Sequence, residues 1–401
     1  MSTVSIRPLR DLCTFKHGGT PSKSNASFWE GEIPWVSPKD MKQTVIDRAT
    51  DFISAEAVEN SATSIVPEGS ILAVVRSGIL AHSFPIAQVR RPVAFNQDIK
   101  AVIPISGDLV PDYLYWFLRS QSTNVVARGV KKGATVHSVQ SGFIENLMVP
   151  MHPPEVQRRI VDLLARAEGI VRLRREAQQK AAELIPAIFI DMFGDPTTNP
   201  RGWPLSPMSE LVSEFRYGTS QKSGPTGVPV LRIPNVIGGA IDLSEVKLVM
   251  LPQPEHQRLR LVDGDLLFVR TNGNPGFVGR CSVYESRALT AAGFDGADCV
   301  YASYLIRARL TGMRVNPGYL QAYLSSRRGR QLLRERAKTS AGQFNINIDG
   351  LGCLPVPVPP ERLQHAFLQR IHSLESILRQ QADASKKAVA IFNALLSQAF
   401  H

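Results

Sequence analysis

The sequence predicts an α+β fold with two similar mixed α/β domains, separated by two long antiparallel coiled-coil helices and related by a pseudo-twofold axis. The length of 401 residues suits two domains of about 150 residues plus connecting helices. An internal repeat with a period of about 200 residues is typical of a duplicated domain. A long run with helical periodicity follows each copy of the repeat.

The first two landmarks of the repeat are a polar loop and an apolar run. The loop reads GGTPSK at residues 18–23 and YGTSQK at residues 217–222, and each copy precedes an Ile-Pro pair, at residues 33–34 and 233–234. Both loops are expected to lead into strands. The apolar run follows an acidic-Gly turn and ends on Arg76 or Arg270. Such a run is typical of a buried strand.

The third and fourth landmarks are a short helix and a proline-rich hinge. Pro111 and Pro317 each precede apolar residues three and four apart, which predicts a helix beginning at the proline. The hinges lie at residues 149–155 and 356–361. Because proline fits a helix start but does not continue a preceding element, each hinge marks where a globular domain ends and a long helix begins.

The two long helices carry apolar residues at a spacing of about 3.5, which predicts that they pair with each other. The stripes are Ile160, Leu164, Ala167, Val171, Ala177, Ala181, Leu184 and Ile188, and then Leu363, Phe367, Ile371, Leu374, Leu378, Ala388, Ile391, Leu395 and Ala399. The alternative is that each helix packs on its own domain. A helix of about 35 residues extends roughly 50 Å, more than one small domain covers. Pro186 is expected to kink the first helix.

The net charge of +11 and the pI of about 9.7 favour a polyanionic partner. Counted along the chain, the excess of Lys and Arg over Asp and Glu is 2 for residues 1–150, 0 for 151–199, 7 for 200–358 and 2 for 359–401. Most of the charge therefore lies in the second globular half. The unequal charge suggests that the two domains contact different sequences of the partner.

Other compositional features narrow the class of protein. The four cysteines, Cys13, Cys281, Cys299 and Cys353, form no C-x-x-C pair and have no histidine at metal-ligand spacing, so they are expected to be reduced and mostly buried. The N-terminus lacks an apolar signal core, and no stretch of eighteen or more apolar residues occurs. A cytoplasmic location is expected.

Several long motifs resemble the specificity subunit of type I restriction-modification enzymes. Residues 19–22 (GTPS) and 28–41 (FWEGEIPWVSPKDM) look like the opening of a target-recognition domain in that family. Residues 192–196 (MFGDP) and 199–204 (NPRGWP) resemble the passage from the first spacer helix into the second recognition domain. The second copy departs from the pattern, since no Pro follows Gly218-Thr219 and no Trp follows Ile233-Pro234.

The resemblance implies a non-catalytic subunit that binds a split DNA target, one half per recognition domain. It implies recognition domains at residues 1–152 and 194–358, and spacer helices at 153–193 and 359–401. The implied partners are double-stranded DNA, two methyltransferase subunits and, where present, two motor-nuclease subunits. S-adenosylmethionine, ATP and Mg are expected on those partner subunits, and no cofactor or metal is expected on this chain.

Two motifs that could signal catalysis are weak. Residues 274–277 (NPGF) superficially resemble the Asn-Pro-Pro-aromatic loop of adenine methyltransferases, but the third residue is Gly and a loop turn is the better interpretation. Glu245 and Lys247 could end a nuclease carboxylate cluster, yet no upstream acidic residue convincingly completes it. We found no phosphate-binding loop, nucleophile elbow or paired-histidine zinc motif in the sequence.

The candidate DNA contacts are polar residues in loops and at strand ends. Arg favours guanine, and Asn or Gln favours adenine. Lys and Arg that contact phosphates fix the position of the protein along the DNA. The candidates are Thr20, Ser22, Lys23, Arg76, Ser77, Asn96, Gln97, Lys131, Lys132 and Thr135 in the first copy, and Arg216, Lys222, Arg270, Thr271, Asn272, Arg280, Lys338, Gln343 and Asn345 in the second. The repeated pairs, Arg76 with Arg270 and Lys131 with Lys338, carry the most weight.

Two other functions stay open from the sequence alone. The chain could be a stand-alone sequence-specific DNA-binding protein, which would bind its target tightly without partners. It could also be a nuclease that uses Glu245 and Lys247, which would cleave DNA in the presence of magnesium. A specificity subunit would instead co-purify with a methyltransferase. The sequence does not define the bases read or the length of the spacer between the half-sites.

Overall fold

The computed structural model describes residues 4–295, 298–312, 314–340 and 342–400. The chain divides into two compact units: unit 1 comprises Met1–Glu176 and Asp383–His401, and unit 2 comprises Ala177–Ala382. The division falls within both long helices, so each unit contains a part of each. Helices and sheets are mixed along the chain, which confirms the predicted α+β class. The domain boundaries drawn at the hinges stay a prediction.

The helices include the two long ones that the periodicity predicts, each of 40 residues. The α-helices are α1 (Ala55–Glu59), α2 (Pro111–Ser120), α3 (Ser122–Asn124), α4 (Pro154–Phe193), α5 (Gln253–Leu259), α6 (Ser286–Ala291), α7 (Pro317–Ser325), α8 (Arg327–Arg336), α9 (Ile348–Gly352) and α10 (Glu361–Phe400). The predicted helix starts at Pro111 and Pro317 are confirmed. Pro186 lies inside α4, and the helix continues on both sides of it. Among the described residues, no helix is both long and apolar enough to cross a membrane.

The described residues of unit 1 form four small sheets. Its strands are β1 (Ser5–Pro8), β2 (Cys13–His17), β3 (Ile33–Val36), β4 (Val45–Ile46), β5 (Asp51–Ile53), β6 (Ile65–Val66), β7 (Ile71–Val74), β8 (Arg76–Ser77), β9 (Ile86–Val89), β10 (Val93–Phe95), β11 (Ile99–Pro104), β12 (Val130–Lys131), β13 (His137–Val139) and β14 (Met148–Met151). The sheet orders are β2-β11-β7-β9-β4, β5-β3-β10-β6, β12-β13-β8 and β1-β14. All four residues of β7 are buried, as the apolar run predicts.

Unit 2 repeats this topology with fewer edge strands. Its strands are β15 (Leu205–Pro207), β16 (Val212–Tyr217), β17 (Val228–Leu231), β18 (Lys247–Val249), β19 (Leu266–Val269), β20 (Thr271–Asn272), β21 (Cys281–Val283), β22 (Val300–Tyr301), β23 (Leu305–Leu310), β24 (Lys338–Ser340), β25 (Gln343–Asn345) and β26 (Pro355–Pro357). The sheet orders are β16-β23-β19-β21, β18-β17-β22, β20-β25-β24 and β15-β26. Strand for strand, these match the sheets of unit 1 without β4 and β6.

The matching topology corrects one landmark of the sequence repeat. Ile33-Pro34 opens β3, but Ile233-Pro234 lies in a 3₁₀-helix, Ile233–Asn235. The strand equivalent to β3 is β17, because β3 pairs in parallel with β10 and β17 pairs in parallel with β22. Pro229 of β17 therefore occupies the position of Pro34, and the pairing of the two Ile-Pro motifs was wrong.

In unit 1 the short helix α2 packs against segments of both long helices. Tyr113 and Phe117 of α2 lie 5.0 and 5.8 Å from the Phe400 ring at the end of α10, between ring centroids. Trp116 lies 5.8 Å from Phe392. Leu164 of α4 is buried in the same apolar cluster. Aromatic pairs in such contacts each contribute about 0.5–1.5 kcal/mol beyond their buried area.

In unit 2 the short helix α7 has the equivalent environment. Tyr319 of α7 contacts Phe189 and Phe193 at the end of α4, with ring-centroid distances of 5.7 and 4.8 Å. Phe367, from the beginning of α10, lies 5.3 Å from Phe193. Phe193 and Phe400 are the last residues of their helices. Each short helix thus contacts the end of one long helix and the beginning of the other.

A buried glutamine completes each of these contacts. Gln157 of α4 is fully buried; its side chain accepts a hydrogen bond from Val110 N (2.9 Å) and donates to the carbonyls of Asp108 (2.7 Å) and His152 (2.8 Å). The amide therefore satisfies two backbone groups just before α2 and one just before α4. Since unpartnered buried polar groups are costly, it fixes the long helix to the segment before α2.

Gln364 of α10 makes the same three bonds in unit 2. It accepts from Asn316 N (2.7 Å) and donates to the carbonyls of Arg314 (3.0 Å) and Pro359 (2.8 Å). Tyr319 adds a hydrogen bond to the carbonyl of Pro357. The beginning of each long helix is therefore attached to the segment before a short helix through matching polar contacts.

The predicted apolar stripes of the long helices are partly wrong. Ala177 and Leu184 of α4 and Ile391 of α10 are exposed, with Leu184 at 47% and Ile391 at 60% of full exposure. Ile185 and Phe392, one residue further along, are the more buried positions. A helical repeat of 3.6 residues drifts against a strict 3.5 spacing, so the buried position passes from one residue to its neighbour over several turns.

We expect the Gln157→Ala variant to unfold at a lower denaturant concentration than the unmodified chain. The substitution leaves three buried backbone groups without partners, at a cost of roughly 1–3 kcal/mol for each unsatisfied group. Urea unfolding followed by circular dichroism measures the change. Gln179→Ala, at an exposed position of the same helix, is the control. Equal stability of the two variants would contradict the role assigned to Gln157.

Candidate nucleic-acid interface

Strands β12, β13 and β8 form a small antiparallel sheet in unit 1, called ribbon 1. Ser138 of β13 is paired with Arg76 of β8 and with Lys131 of β12. Residues directly opposite each other in an antiparallel sheet project to the same face. Arg76 and Lys131 are exposed. Two predicted DNA contacts therefore lie on one face, with a serine between them.

Strands β20, β25 and β24 form the equivalent sheet in unit 2, called ribbon 2. Asn345 of β25 is paired with Thr271 of β20 and with Lys338 of β24. The Thr271 hydroxyl donates to Gln343 Oε1 at 2.9 Å. Ribbon 2 brings together five predicted residues, since Asn272 also lies on β20. Its face is rich in amides and carries one lysine.

The register of the two ribbons corrects one predicted pair and supports the other. The carbonyl of Val75 accepts from Val139 N at 2.8 Å, and the carbonyl of Arg270 accepts from Ile346 N at 2.9 Å. Val75 is therefore equivalent to Arg270, and the pairing of Arg76 with Arg270 was off by one residue. Arg76 is equivalent to Thr271 instead. Lys131 and Lys338 occupy equivalent positions, each opposite the central strand.

The polar loop of unit 1, residues 18–25, is positioned by two tryptophans. Trp35 Nε1 donates to the carbonyl of Gly19 (3.0 Å), and Trp29 Nε1 donates to that of Ser22 (3.1 Å). The Thr20 hydroxyl donates to Gln97 Oε1 at 2.5 Å. Gly18 is required by close packing, because a Cβ there would lie 2.1 Å from the carbonyl oxygen of Phe95. Ser22 and Lys23 are exposed at the loop surface.

The polar loop of unit 2 follows the same backbone path without the tryptophans. A Cβ on Gly218 would lie 2.2 Å from the carbonyl oxygen of Tyr301, so Gly218 is equivalent to Gly18 and the predicted alignment of these loops was off by one residue. Val230 occupies the position of Trp35 in the equivalent strand. Lys222 is exposed on this loop. The loops share a backbone frame and present different side chains.

A turn before β11 connects loop and ribbon in unit 1. The carbonyl of Asp98 accepts from Val75 N (2.8 Å) and Arg76 N (3.2 Å), while the neighbouring Gln97 contacts Thr20. Thr20, Gln97 and Arg76 therefore belong to one continuous surface. Asn96 is buried, and its side chain accepts from Asp98 N within the turn. Asn96 shapes the turn and presents no group to solvent.

In unit 2 the equivalent turn adds a residue that the sequence analysis missed. The carbonyl of Tyr304 accepts from Arg270 N at 2.9 Å, which places Tyr304 at the position of Asp98. The Tyr304 side chain is 59% exposed. The Arg270 guanidinium lies 4.8 Å from the Tyr217 ring centroid and donates to the carbonyl of Ser303. The only sequence signal for Tyr304 is its position just after a buried strand.

The remaining predicted residues differ in accessibility. Arg216 is ion-paired with Glu214, which also pairs with the buried Arg307, so its charge already has a protein partner. The Arg280 guanidinium lies 4.1 Å from the Phe277 ring centroid. Three further candidates have accessible side chains near ribbon 1, one on β8 and two in the β12–β13 connection: Ser77, Lys132 and Thr135.

The two motifs that resembled catalytic elements have structural roles. Glu245 is exposed and ion-paired with Lys247 (2.9 Å) and Arg232 (3.2 Å); the bond from Lys247 and its charge lower the pKa of this carboxyl. Residues 274–277 form a turn in which Asn274 Oδ1 accepts from Gly276 N. Within the described ranges, no group of three or more His, Cys, Asp or Glu side chains has metal-binding geometry.

The cysteines are free, and three of the four are buried, as predicted. Burial raises the pKa of each of these three thiols, Cys13, Cys281 and Cys299, to about 12. A thiol with such a pKa is almost entirely protonated near neutral pH and is a poor nucleophile. Cys353 is exposed.

One group of comparisons with known proteins covers about half of the chain. Residues 1–183 match the family described as Type I restriction modification DNA specificity domain. A type I restriction enzyme specificity subunit of Escherichia coli is 37% identical over 182 residues, 45% of each chain. The MjaIX specificity subunit of Methanocaldococcus jannaschii is 25% identical over 236 residues, 58% of this chain and 51% of that protein. The chain thus spans about half the length of these two relatives.

Other comparisons cover the whole chain. The EcoKI specificity subunit of Escherichia coli strain K12 is 25% identical over 423 residues, 98% of this chain and 88% of that protein. The crystal structure of a type I restriction-modification S subunit from M. genitalium aligns over 100% of this chain and 97% of that one, with 14% identity and a TM-score of 0.55. A chain from a structural study of type I R-M complex assembly aligns over 100% of this chain and 98% of that one, with 17% identity and a TM-score of 0.66.

The resemblance to type I specificity subunits is therefore confirmed. It rests on the match of residues 1–183 to the family described as Type I restriction modification DNA specificity domain. The similarity to specificity subunits extends over the rest of the chain at lower identity.

We expect Trp35→Phe to loosen the loop at residues 18–25. The substitution keeps most of the aromatic packing but removes the indole donor to the Gly19 carbonyl, which leaves a buried acceptor unpaired. Hydrogen exchange measured by mass spectrometry should show faster exchange of the loop amides. The matched control is Trp203→Phe, which removes the indole bond to the Phe193 carbonyl at 2.9 Å. Unchanged exchange of the loop in Trp35→Phe would contradict this role.

Proposed function

We propose that this chain is the DNA specificity subunit of a type I restriction-modification complex and reads a split target, one half per recognition domain. The observation that carries the proposal is the pair of equivalent surfaces, each formed by a ribbon and a polar loop on matching strands. Because the backbone frames match and the side chains differ, the two surfaces are suited to the same task on different base sequences.

The composition of the ribbons suggests how each half is read. The major groove of B-DNA admits a small β-ribbon, and side chains there contact base edges. Arg76 on ribbon 1 is suited to guanine, and Asn345 and Gln343 on ribbon 2 are suited to adenine. Lys131 and Lys338, at equivalent positions, are suited to phosphates and would set the register. The two half-sites would therefore differ in sequence.

Contacts inside each unit support the antiparallel pairing of α4 and α10. In unit 1 the beginning of α4 shares an apolar cluster with the end of α10, and in unit 2 the end of α4 shares one with the beginning of α10. The equivalent glutamines Gln157 and Gln364 are 207 residues apart in the sequence, which is also the separation between the first residues of α4 and α10. A pseudo-twofold arrangement of two recognition domains on a two-helix spacer accounts for these matched contacts.

Exposed apolar positions on the long helices support binding of two identical partners. Ile170 and Ile377 are 51% and 54% exposed, and Leu184 and Ile391 are 47% and 60% exposed. Each pair occupies the same position in its helix. Matching surfaces on a pseudo-symmetric chain suit two copies of one subunit.

We assign these partners as two methyltransferase subunits, with two motor-nuclease subunits where the complex also cleaves DNA. S-adenosylmethionine, ATP and Mg would be bound by those partners, and this chain would have no catalytic role. The relatives that support the assignment are named type I restriction enzyme specificity subunits.

Substitutions on the two ribbons are expected to affect different half-sites. In the complex with methyltransferase subunits, Arg76→Gln should reduce discrimination at one half-site by about ten- to a hundred-fold, because one bidentate base contact is lost. Asn345→Ala should do the same at the other half-site only. The measurement is the methylation rate on duplexes that carry one changed base pair in one half.

The control for this experiment is Arg48→Gln, since Arg48 is exposed and ion-paired with Asp47. The proposal fails if both ribbon variants affect the same half-site, or if neither changes discrimination. Tight binding of the target by the chain without partners would support a stand-alone DNA-binding protein, and magnesium-dependent cleavage by the pure chain would support a nuclease.

A further inference from the structure

An arginine cluster lies beside ribbon 2 and has no counterpart among the described residues of unit 1. It consists of Arg280, which follows the 274–277 turn, and of Arg330 and Arg334 on α8. Arg334 is exposed, and Arg280 and Arg330 are partly exposed. None of the three has a salt bridge to a carboxylate within the described part of the chain.

Three like charges are held together in this cluster. Burial lowers the pKa of Arg330, and the neighbouring charges of Arg334 and Arg280 lower it further. The single carboxylate on α8, Glu335, accepts a hydrogen bond from Gln331 at 2.8 Å. Like charges this close repel, so an anion bound among them would relieve the repulsion.

The cluster is attached to ribbon 2 at two points. The Arg330 guanidinium donates to the carbonyls of Gly276 (3.0 Å) and Val278 (2.7 Å), in the connection that leaves β20 after Asn272. At its other end, α8 stops at Arg336 and the chain enters β24 at Lys338. The guanidinium groups are therefore close to the side chains that would read bases.

The equivalent region of unit 1 is nearly neutral. After the short helix α2, residues 122–129 (STNVVARG) contain one arginine, Arg128, whereas α8 contains five arginines and one glutamate. The connection after β8 carries the exposed apolar residue Ile79. The difference explains most of the unequal charge of the two globular halves.

We propose that the arginine cluster binds the DNA phosphate backbone next to the half-site read by ribbon 2, and that unit 1 has no equivalent contact. This inference rests on the proposed function. Arg280 and Arg334 contact phosphates, while Arg330 mainly holds the loop that carries Arg280. The second domain therefore supplies more of the sequence-independent affinity than the first domain does.

The test is the salt dependence of DNA binding by the complex of the full chain with its methyltransferase partners. The variant is Arg280→Gln/Arg334→Gln, which leaves Arg330 in place. The control, Arg48→Gln/Arg287→Gln, removes the same net charge from exposed arginines that are ion-paired with Asp47 and Glu285. The probes are a fluorescent duplex that contains the target and one of unrelated sequence, with anisotropy measured at several KCl concentrations.

We expect the cluster variant to bind both duplexes at least about ten-fold more weakly at low salt. Its plot of log K against log salt should be less steep by about 1.8, because each lost phosphate contact contributes about 0.9. The affinity ratio between target and unrelated duplex should stay unchanged. The control variant should bind like the unmodified complex.

Several results would overturn the inference while leaving the proposed function intact. These are a salt slope equal to that of the unmodified complex, a loss no larger than that of the control, or an altered base preference with an unchanged slope. Weakened assembly with the methyltransferase subunits, with normal DNA binding, would mark the cluster as a protein contact instead. If the unmodified complex binds neither duplex, the proposed function itself fails.

Discussion

In each of the two units, the contact between the globular part and the beginning of a long helix depends on a buried side-chain amide. Gln157 and Gln364 each satisfy three backbone groups at the point where a long helix begins. Because these groups are buried, a shift of the helix would break several hydrogen bonds at once. Aromatic residues at the helix ends, such as Phe193 and Phe400, add apolar packing to this polar contact. These contacts fix the beginning of each long helix to the segment that precedes a short helix.

The backbone of the candidate interface is the same in the two units, whereas its side chains differ. The ribbons keep their register and the equivalent lysines, Lys131 and Lys338, whereas an arginine in one unit is replaced by a threonine in the other. Each polar loop keeps a glycine that packs against a carbonyl, while the tryptophans that support the polar loop of unit 1 are absent from that of unit 2. Substitutions on such a surface can change which bases it recognises without changing how the unit is attached to the long helices.

The sequence predicts the elements better than their register. The buried strands and helix starts follow from local periodicity and proline, and all of these landmarks appear in the structure. Alignment by residue type, however, matched Arg76 to Arg270, because strand register is set by ladder hydrogen bonds that the sequence does not display. Leu184 was misplaced because an apolar residue fits either of two neighbouring helix positions. Tyr304 gave no signal beyond its position just after a buried strand, since its exposure depends on a tertiary turn.

In the proposed function, one chain presents two DNA-binding surfaces to one duplex. Hydroxyl-radical footprinting of the complex with methyltransferase subunits on its target tests this claim most directly. Two protected tracts are expected on one face of the duplex, separated by about one helical turn or a multiple of it, since successive major-groove segments on one face are about 34 Å apart. A single protected tract, or two tracts on opposite faces, would contradict the account.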